Sequence, residues 1–228
     1  MTLWLVACVA MFLVGALPAY AQTAEPRRVG RVEVDAGGGK LGGADLGSAD
    51  ANLRASDPAR RSFRLFSTES RFASAPTFHV RAGFAFNRRI GVEGGLMVSR
   101  PDIRTPVSAD VEDAPAITVT GRVGQYAIDA GVVVMISELR LGSRTVPFVA
   151  AGAGYLRQLH EGQTLVEQGH VYHAGGGVKH WLLTRDRGFI SAAGLRADAR
   201  LYLMSGGIAF EDRARPHAAI SGSVFVAF

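Results

Sequence analysis

The stretch "GFISAAGLRADARLYLM", residues 188–204, alternates apolar and polar side chains with a period of two. One face of an extended strand would carry Phe189, Ala193, Leu195, Ala197, Ala199, Leu201 and Leu203. The opposite face would carry Arg196, Asp198, Arg200 and Tyr202. Because successive side chains of a strand point to opposite faces, the stretch predicts a strand with one apolar and one charged face.

Seven further segments show the same alternation and predict strands. They are residues 29–37, 77–86, 90–98, 123–136, 146–157, 169–180 and the closing segment 219–228. The connections at 87–89 and 181–187 are short, whereas those at 38–76 and 99–122 are long and rich in small polar residues. Strands joined alternately by short turns and long loops are typical of outer-membrane barrels. A loop as long as 38–76 is unusual without structure, so we expect a β-ribbon or a ninth strand within it.

The N-terminus predicts an exported protein. Residues 1–21 carry an uncharged apolar run that ends in Ala19-Tyr20-Ala21, the small-x-small pattern of a signal-peptidase site. Removal of this signal peptide also removes Cys8, the single cysteine among 228 residues. Beyond residue 21 no apolar run approaches the length of a membrane-spanning helix. Residues 22–28 are then a short N-terminal segment, and 29–228 form one domain.

We predict an all-β fold from three observations: the export signal, the absence of an apolar helix and the eight alternating segments. The predicted architecture is an eight-stranded antiparallel up-and-down transmembrane β-barrel in the outer membrane. Its apolar face should contact lipid. The residues expected in this belt are Phe78, Phe84, Phe86, Leu96, Val132, Val134, Leu195, Leu201, Leu203, Val224, Val226 and Phe228. The alternative is a soluble secreted β-barrel that binds a small apolar ligand, which requires the apolar face to point inward.

A transmembrane barrel places the charged face in its lumen. The residues expected there are Arg31, Glu33, Asp35, Arg81, Glu93, Asp129, Lys179, Arg196, Asp198 and Arg200. An eight-stranded barrel is just wide enough for side chains to fill it, and charges confined there are stable only when paired. Because this set contains as many acidic as basic residues, we predict that the charges pair and form a packed ionic plug. The alternative is a narrow water or solute path gated by the same pairs.

The sequence offers little for other chemistry. Its net charge of +5 comes from scattered basic residues without a basic run, so we expect no nucleic-acid partner. His170, His173 and His180 lack ligand spacing, so we expect no metal. No serine lies in a G-x-S-x-G elbow, and no glycine run has the Lys-Ser/Thr partner of a phosphate loop. We therefore expect no catalytic residue, no cofactor and no enzymatic activity, with a lipid-modifying outer-membrane enzyme as the alternative.

Several stretches together resemble the OmpA-like family of small outer-membrane β-barrels. They are the signal peptide, the hairpin "VRAGFAFNRRIGVEGGLMVSRP" (80–101), "PFVAAGAGYLRQL" (147–159), "HVYHAGGGVKHWLL" (170–183) and the terminal "SGSVFVAF" (221–228). The resemblance implies that the barrel-assembly machinery reads the last strand. The chain departs from the larger relatives in one respect, since we expect it to lack their peptidoglycan-binding module. The matching signal positions are Ile220, Val224, Val226 and Phe228. We expect a monomer surrounded by outer-membrane lipid, with a structural, surface-interaction or minor permeability role.

Overall fold

The computed structural model describes residues 30–53, 63–108, 117–139, 141–160, 165–185, 188–208 and 213–228. The predicted signal peptide and the segment 22–28 lie outside these residues. Eleven strands follow one another within these described residues. They are β1 (Val32–Leu41), β2 (Ala44–Leu53), β3 (Phe63–Phe72), β4 (Ala75–Ala85), β5 (Ile90–Ser99), β6 (Asp102–Ser108), β7 (Ile117–Met135), β8 (Thr145–His160), β9 (Val166–Thr184), β10 (Ala192–Gly206) and β11 (Arg215–Ala227). A 3-10 turn occupies Ser137–Leu139.

Eight of these strands form a closed antiparallel barrel, in the order β1, β4, β5, β7, β8, β9, β10 and β11. The first and last strands pair, with Asp35 opposite Phe225, and the β7–β8 ladder completes the circuit. Each barrel strand corresponds to one of the eight alternating segments, so the predicted fold is confirmed. Closure satisfies the backbone groups of every wall strand without leaving an edge in lipid.

The barrel has an apolar exterior and a polar interior, the reverse of a soluble domain. Nine of the predicted belt residues are exposed: Phe78, Phe84, Phe86, Leu96, Val132, Leu195, Leu201, Leu203 and Val224. Val134, Val226 and Phe228 are half-buried on the same outer face. The alternative of a soluble barrel is therefore wrong, because it requires these side chains to point inward. Among the residues described, no helix is long and apolar enough to cross a membrane.

One end of the barrel continues into a second sheet, formed by β2, β3, β6 and the first residues of β7. We call it the extension. It stands at the end with the longer connections, termed the loop end; the opposite end, where β1 begins and β11 ends, is the turn end. The extension accounts for the predicted structure within 38–76. It also moves the start of the fourth predicted strand from residue 123 to Ile117, because β6 provides a pairing partner for residues 117–122.

The start of the seventh predicted strand also needs correction. β10 begins at Ala192, whereas Phe189 lies in the preceding turn and is 82% exposed. Its ring is 4.9 Å from that of Phe228, so the two aromatic side chains pack together at the turn end. Residues 188–191 therefore belong to the turn before β10 and not to the strand, although they were included in the predicted segment.

Candidate functional site: an ionic cluster in the lumen

Arg196, on β10, lies at the centre of a network of buried charges that we call the ionic cluster. Its Nη1 donates to Glu93 Oε2 at 2.8 Å and to Asp35 Oδ2 at 3.1 Å. Its Nε donates to Asp198 Oδ2 at 2.9 Å. The guanidinium also lies over the Phe148 ring, 4.5 Å from its centroid. One side chain therefore joins carboxylates from three strands and a ring from a fourth.

Arg200, four residues further along β10 on the same inward face, shares two of these carboxylates. Its Nη2 donates to Glu93 Oε1 at 2.5 Å and its Nε donates to Asp198 Oδ1 at 3.1 Å. Its Nη1 is 3.4 Å from His173 Nδ1. Glu93 thus accepts from two arginines on the opposite wall, which ties β5 to β10 across the lumen. Charge-assisted pairs of this kind are among the strongest hydrogen bonds in proteins.

β4 contributes a third arginine to the same network. Arg81 Nη1 is 3.4 Å from Asp198 Oδ2 and 3.6 Å from Asp35 Oδ1. His79, two residues earlier on the same inward face, places Nε2 3.6 Å from Asp35 Oδ1. Asp35 therefore has cationic or polar neighbours from both β4 and β10.

Two smaller contacts flank the network. Lys179 on β9 donates to Glu33 on β1, and its ammonium lies over the Phe225 ring at 5.2 Å. Asp129 Oδ1 on β7 is 3.4 Å from His173 Nε2. All of these side chains are buried. Burial makes each pair resistant to screening by salt and costly to break.

The structure brings nine of the ten predicted lumen residues into this cluster or its flanks. They are Glu33, Asp35, Arg81, Glu93, Asp129, Lys179, Arg196, Asp198 and Arg200. Arg31 is the exception and corrects the prediction. It precedes β1, which begins at Val32, so its side chain is half-buried at the turn end and forms no ion pair with a described residue.

Sequence reasoning missed the histidines of the cluster. His173, considered above only as a metal ligand, is 4% exposed and lies in the lumen. His79 is 5% exposed and also faces the lumen. Strand parity was the available signal, since His173 shares the inward face with Lys179, whereas His170 is exposed. A lone strand does not reveal which partner its inward residues meet across the lumen.

Apolar layers lie on both sides of the ionic cluster along the lumen. The layer toward the turn end contains Val133, Met135, Val146, Phe148, Ala150, Trp181 and Phe225. The layer toward the loop end contains Leu41, Met97, Ala127, Leu156, Val171, Tyr202 and Met204. β7 illustrates the order, because its inward face runs from Met135 and Val133 through Asp129 to Ala127. The network around Arg196 and Arg200 is therefore enclosed between two apolar layers, whereas the Glu33–Lys179 pair lies level with the layer toward the turn end.

The chemistry open to this arrangement is electrostatic. Fixed carboxylates and guanidinium groups hold one another by hydrogen bonds and ion pairs. In the described ranges, no group of three or more His, Cys, Asp or Glu side chains could hold a metal ion. The cluster is suited to holding opposite walls together.

Comparisons with known proteins place the fold. No protein-family model matches the chain, and no curated protein matches it in sequence. The barrel is similar to the solved structure of Neisserial surface protein A, NspA, with 14% identity, a TM-score of 0.53 and coverage of 87% of this chain and 96% of that one. OprG from Pseudomonas aeruginosa also matches, with 10% identity, a TM-score of 0.49 and coverage of 89% and 98%.

One comparison corrects the expectation that the chain is not an enzyme. The outer-membrane protease OmpT from Escherichia coli is among the solved structures matched, with 8% identity, a TM-score of 0.41 and coverage of 92% of this chain and 98% of that one. Proteins matched on the barrel therefore include an enzyme. The absence of recognisable catalytic motifs from the sequence was too weak a basis for that expectation.

The closed barrel, its outward apolar face and the comparison with NspA all indicate the same class of protein, a membrane β-barrel. A closed eight-stranded wall with apolar side chains outside and paired charges inside is stable in lipid and not in water. The chain therefore lies in the outer membrane and has the fold of the OmpA-like class of small eight-stranded β-barrels.

Proposed function

We propose that this outer-membrane barrel is a sealed structural element that carries the extension as an interaction surface. The observation that carries the proposal is the enclosure of the ionic cluster between two apolar layers. A continuous water path needs polar lining from end to end, and apolar constrictions oppose wetting. The extension supplies the interaction surface, since its four strands continue the wall beyond the apolar belt.

Single-channel recording in planar bilayers tests the seal. The wild-type protein should give no conductance steps under conditions in which a porin does. Glu93→Ala and Arg196→Ala each leave a buried charge without its partner and remove side-chain volume from the lumen. Both variants should leak or fail to fold. Regular conductance steps from the wild-type protein would contradict the proposal and favour the gated water path.

The partners of the barrel belong to the same proposal. We propose a monomer that is surrounded by outer-membrane lipid and inserted by the assembly machinery through β11. The outward position of Ile220, which is 66% exposed, and of Val224, which is 56% exposed, supports an accessible signal. Val226 and Phe228 share this face and are half-buried. Replacing Phe228 with Ser should reduce the folded, heat-modifiable form recovered from outer membranes, whereas Ser221→Ala should not.

A further inference from the structure

Arg215 differs from the other buried cations of the barrel. Arg81, Lys179, Arg196 and Arg200 each lie within ion-pair distance of a carboxylate. Arg215 opens β11 at the loop end and is only 5% exposed, yet none of the described carboxylates pairs with it. Its Nη2 donates to the Gly206 carbonyl, while Nε and Nη1 are buried without an acceptor. A buried guanidinium left in this state is strongly destabilising.

A second donor at the loop end is also unmatched, because Gln125 Nε2 on β7 is buried without a hydrogen-bond partner. His217 Nδ1–H donates to the Gly42 carbonyl at 2.9 Å, which fixes the ring beside the end of β1. Buried polar groups in native proteins nearly always have a partner. The unused N–H groups of Arg215 and Gln125 therefore indicate a missing acceptor.

A cleft opens next to Arg215, where β2 separates from β11. The β1–β11 ladder ends at Leu41 and Ala219, and beyond it β2 pairs only with β3. The resulting space is about 360 Å³ and is lined by residues 43–47 and 213–216. The free edge of β2 adds backbone N–H groups that no described strand uses. The charged residues among the described lining are Arg213, Arg215 and Asp45.

We propose that this cleft binds a phosphate group through Arg215. The guanidinium keeps N–H groups on Nε and Nη1 without an acceptor, and either can donate a charge-assisted hydrogen bond to an oxygen of a tetrahedral oxyanion. Unused backbone N–H groups of β2 complete a donor-rich site of the kind that anions occupy. The phosphate is supplied either as the free anion or as part of a lipid headgroup in the leaflet beside the loop end. Its binding gives the buried charge of Arg215 the partner that the barrel itself does not provide.

Urea unfolding of the refolded full-length protein in detergent micelles tests the proposal. Inorganic phosphate should raise the unfolding midpoint of the wild type, whereas chloride at the same ionic strength should not. Arg215→Met removes the unpaired charge and keeps an apolar side chain, so in phosphate-free buffer this variant should be at least as stable as the wild type. It should also lose the response to phosphate, with binding weakened about tenfold or more.

Two further variants make the result specific. Asp45→Asn removes the carboxylate that lines the cleft and should strengthen phosphate binding. Arg157→Gln removes an exposed arginine on β8, outside the cleft, and should leave binding unchanged. A parallel titration uses phosphatidylcholine vesicles with and without phosphatidic acid. A response to phosphatidic acid alone identifies the lipid headgroup as the source, and a response to inorganic phosphate identifies the free anion. If neither probe distinguishes the wild type from Arg215→Met, the proposal is wrong.

Discussion

Glu93 is the acceptor on which two buried arginines depend. It receives hydrogen bonds from Arg196 at 2.8 Å and from Arg200 at 2.5 Å, and all three side chains are buried. Surface pairs gain little because water and salt screen them, whereas loss of one partner of a buried pair leaves the other uncompensated. The chain contains both kinds. Arg89 Nη2 and Glu138 Oε1 lie 2.6 Å apart with both side chains mostly exposed.

Replacing Glu93 with Gln should therefore lower the free energy of unfolding by about 3–5 kcal/mol, because two buried guanidinium groups lose their carboxylate. The matched variant Glu138→Gln should change the free energy of unfolding by less than about 1 kcal/mol. Urea unfolding of both variants in lipid vesicles measures the difference. Similar losses for the two variants would show that the lumen is hydrated enough to screen its charges.

The alternation of side chains along each strand predicts which residues belong to the ionic cluster. It does not predict which of them form hydrogen bonds or ion pairs with one another. Parity on one strand places Arg196, Asp198 and Arg200 together on the inward face. It does not show that Arg196 meets Asp35 or Glu93, since those contacts depend on register and on the width of the lumen. Parity also fails at strand ends, as Arg31 shows. Arg31 precedes β1 and is only half-buried, although it continues the alternation of Glu33 and Asp35.

At the scale of elements, β9 and β10 approach each other closely because β9 contains glycine on its inward face. A Cβ atom added at Gly177 would overlap the Ala197 carbonyl oxygen and lie 2.9 Å from the Phe148 ring. That ring lies beneath the Arg196 guanidinium. The absence of a side chain at Gly177 thus makes room for the support of the ionic cluster.

Gly177→Ala should destabilise the barrel by about 1–3 kcal/mol, the usual cost of forcing volume into a packed interior. Gly94→Ala is the control, because its new Cβ would meet only the Asp129 carbonyl oxygen at 3.5 Å, an ordinary contact. This control should be neutral or slightly stabilising. The fraction of protein that migrates as the folded form on an unheated gel, measured against urea concentration, compares the two. Equal stability would mean that β9 and β10 can move apart without loss.

The eight wall strands were predictable because lipid on one side and a filled lumen on the other impose a strict alternation. The strands of the extension are not held between two such environments. On β7, Val119 belongs to the extension and is 58% exposed, so an apolar residue there does not mark a buried face. β2 also has irregular register between Asp45 and Gly47, which interrupts its period. The sequence therefore predicted some structure in 38–76 without its strand order.

At the scale of the whole molecule, the apolar belt determines where the membrane surrounds the protein. β7 passes through this boundary without interruption. Ile128, in the wall, is 62% exposed on the outer face, and Val119, in the extension, is exposed to nearly the same degree. The two side chains are similar in size and polarity. Only their positions relative to lipid differ.

Ile128→Arg should reduce the free energy of folding into lipid vesicles by about 2–4 kcal/mol, the cost of a charge facing the middle of the hydrocarbon layer. Val119→Arg should have little effect, because its side chain lies beyond the belt. Folding in vesicles against urea measures both variants. An equal cost at the two positions would contradict the boundary between wall and extension.

The length of β7 has a mechanical consequence. Nineteen residues in one unbroken strand span about 60 Å at the usual rise per residue. With the tilt of about 40° common in such barrels, the strand rises nearly twice the height of the apolar band, about 25 Å. The far edge of the extension is therefore held roughly 15–20 Å above the hydrocarbon surface. A molecule that docks there contacts a rigid surface at a fixed height above the membrane. The angle of this surface to the membrane is set by β7, the same strand that crosses the membrane.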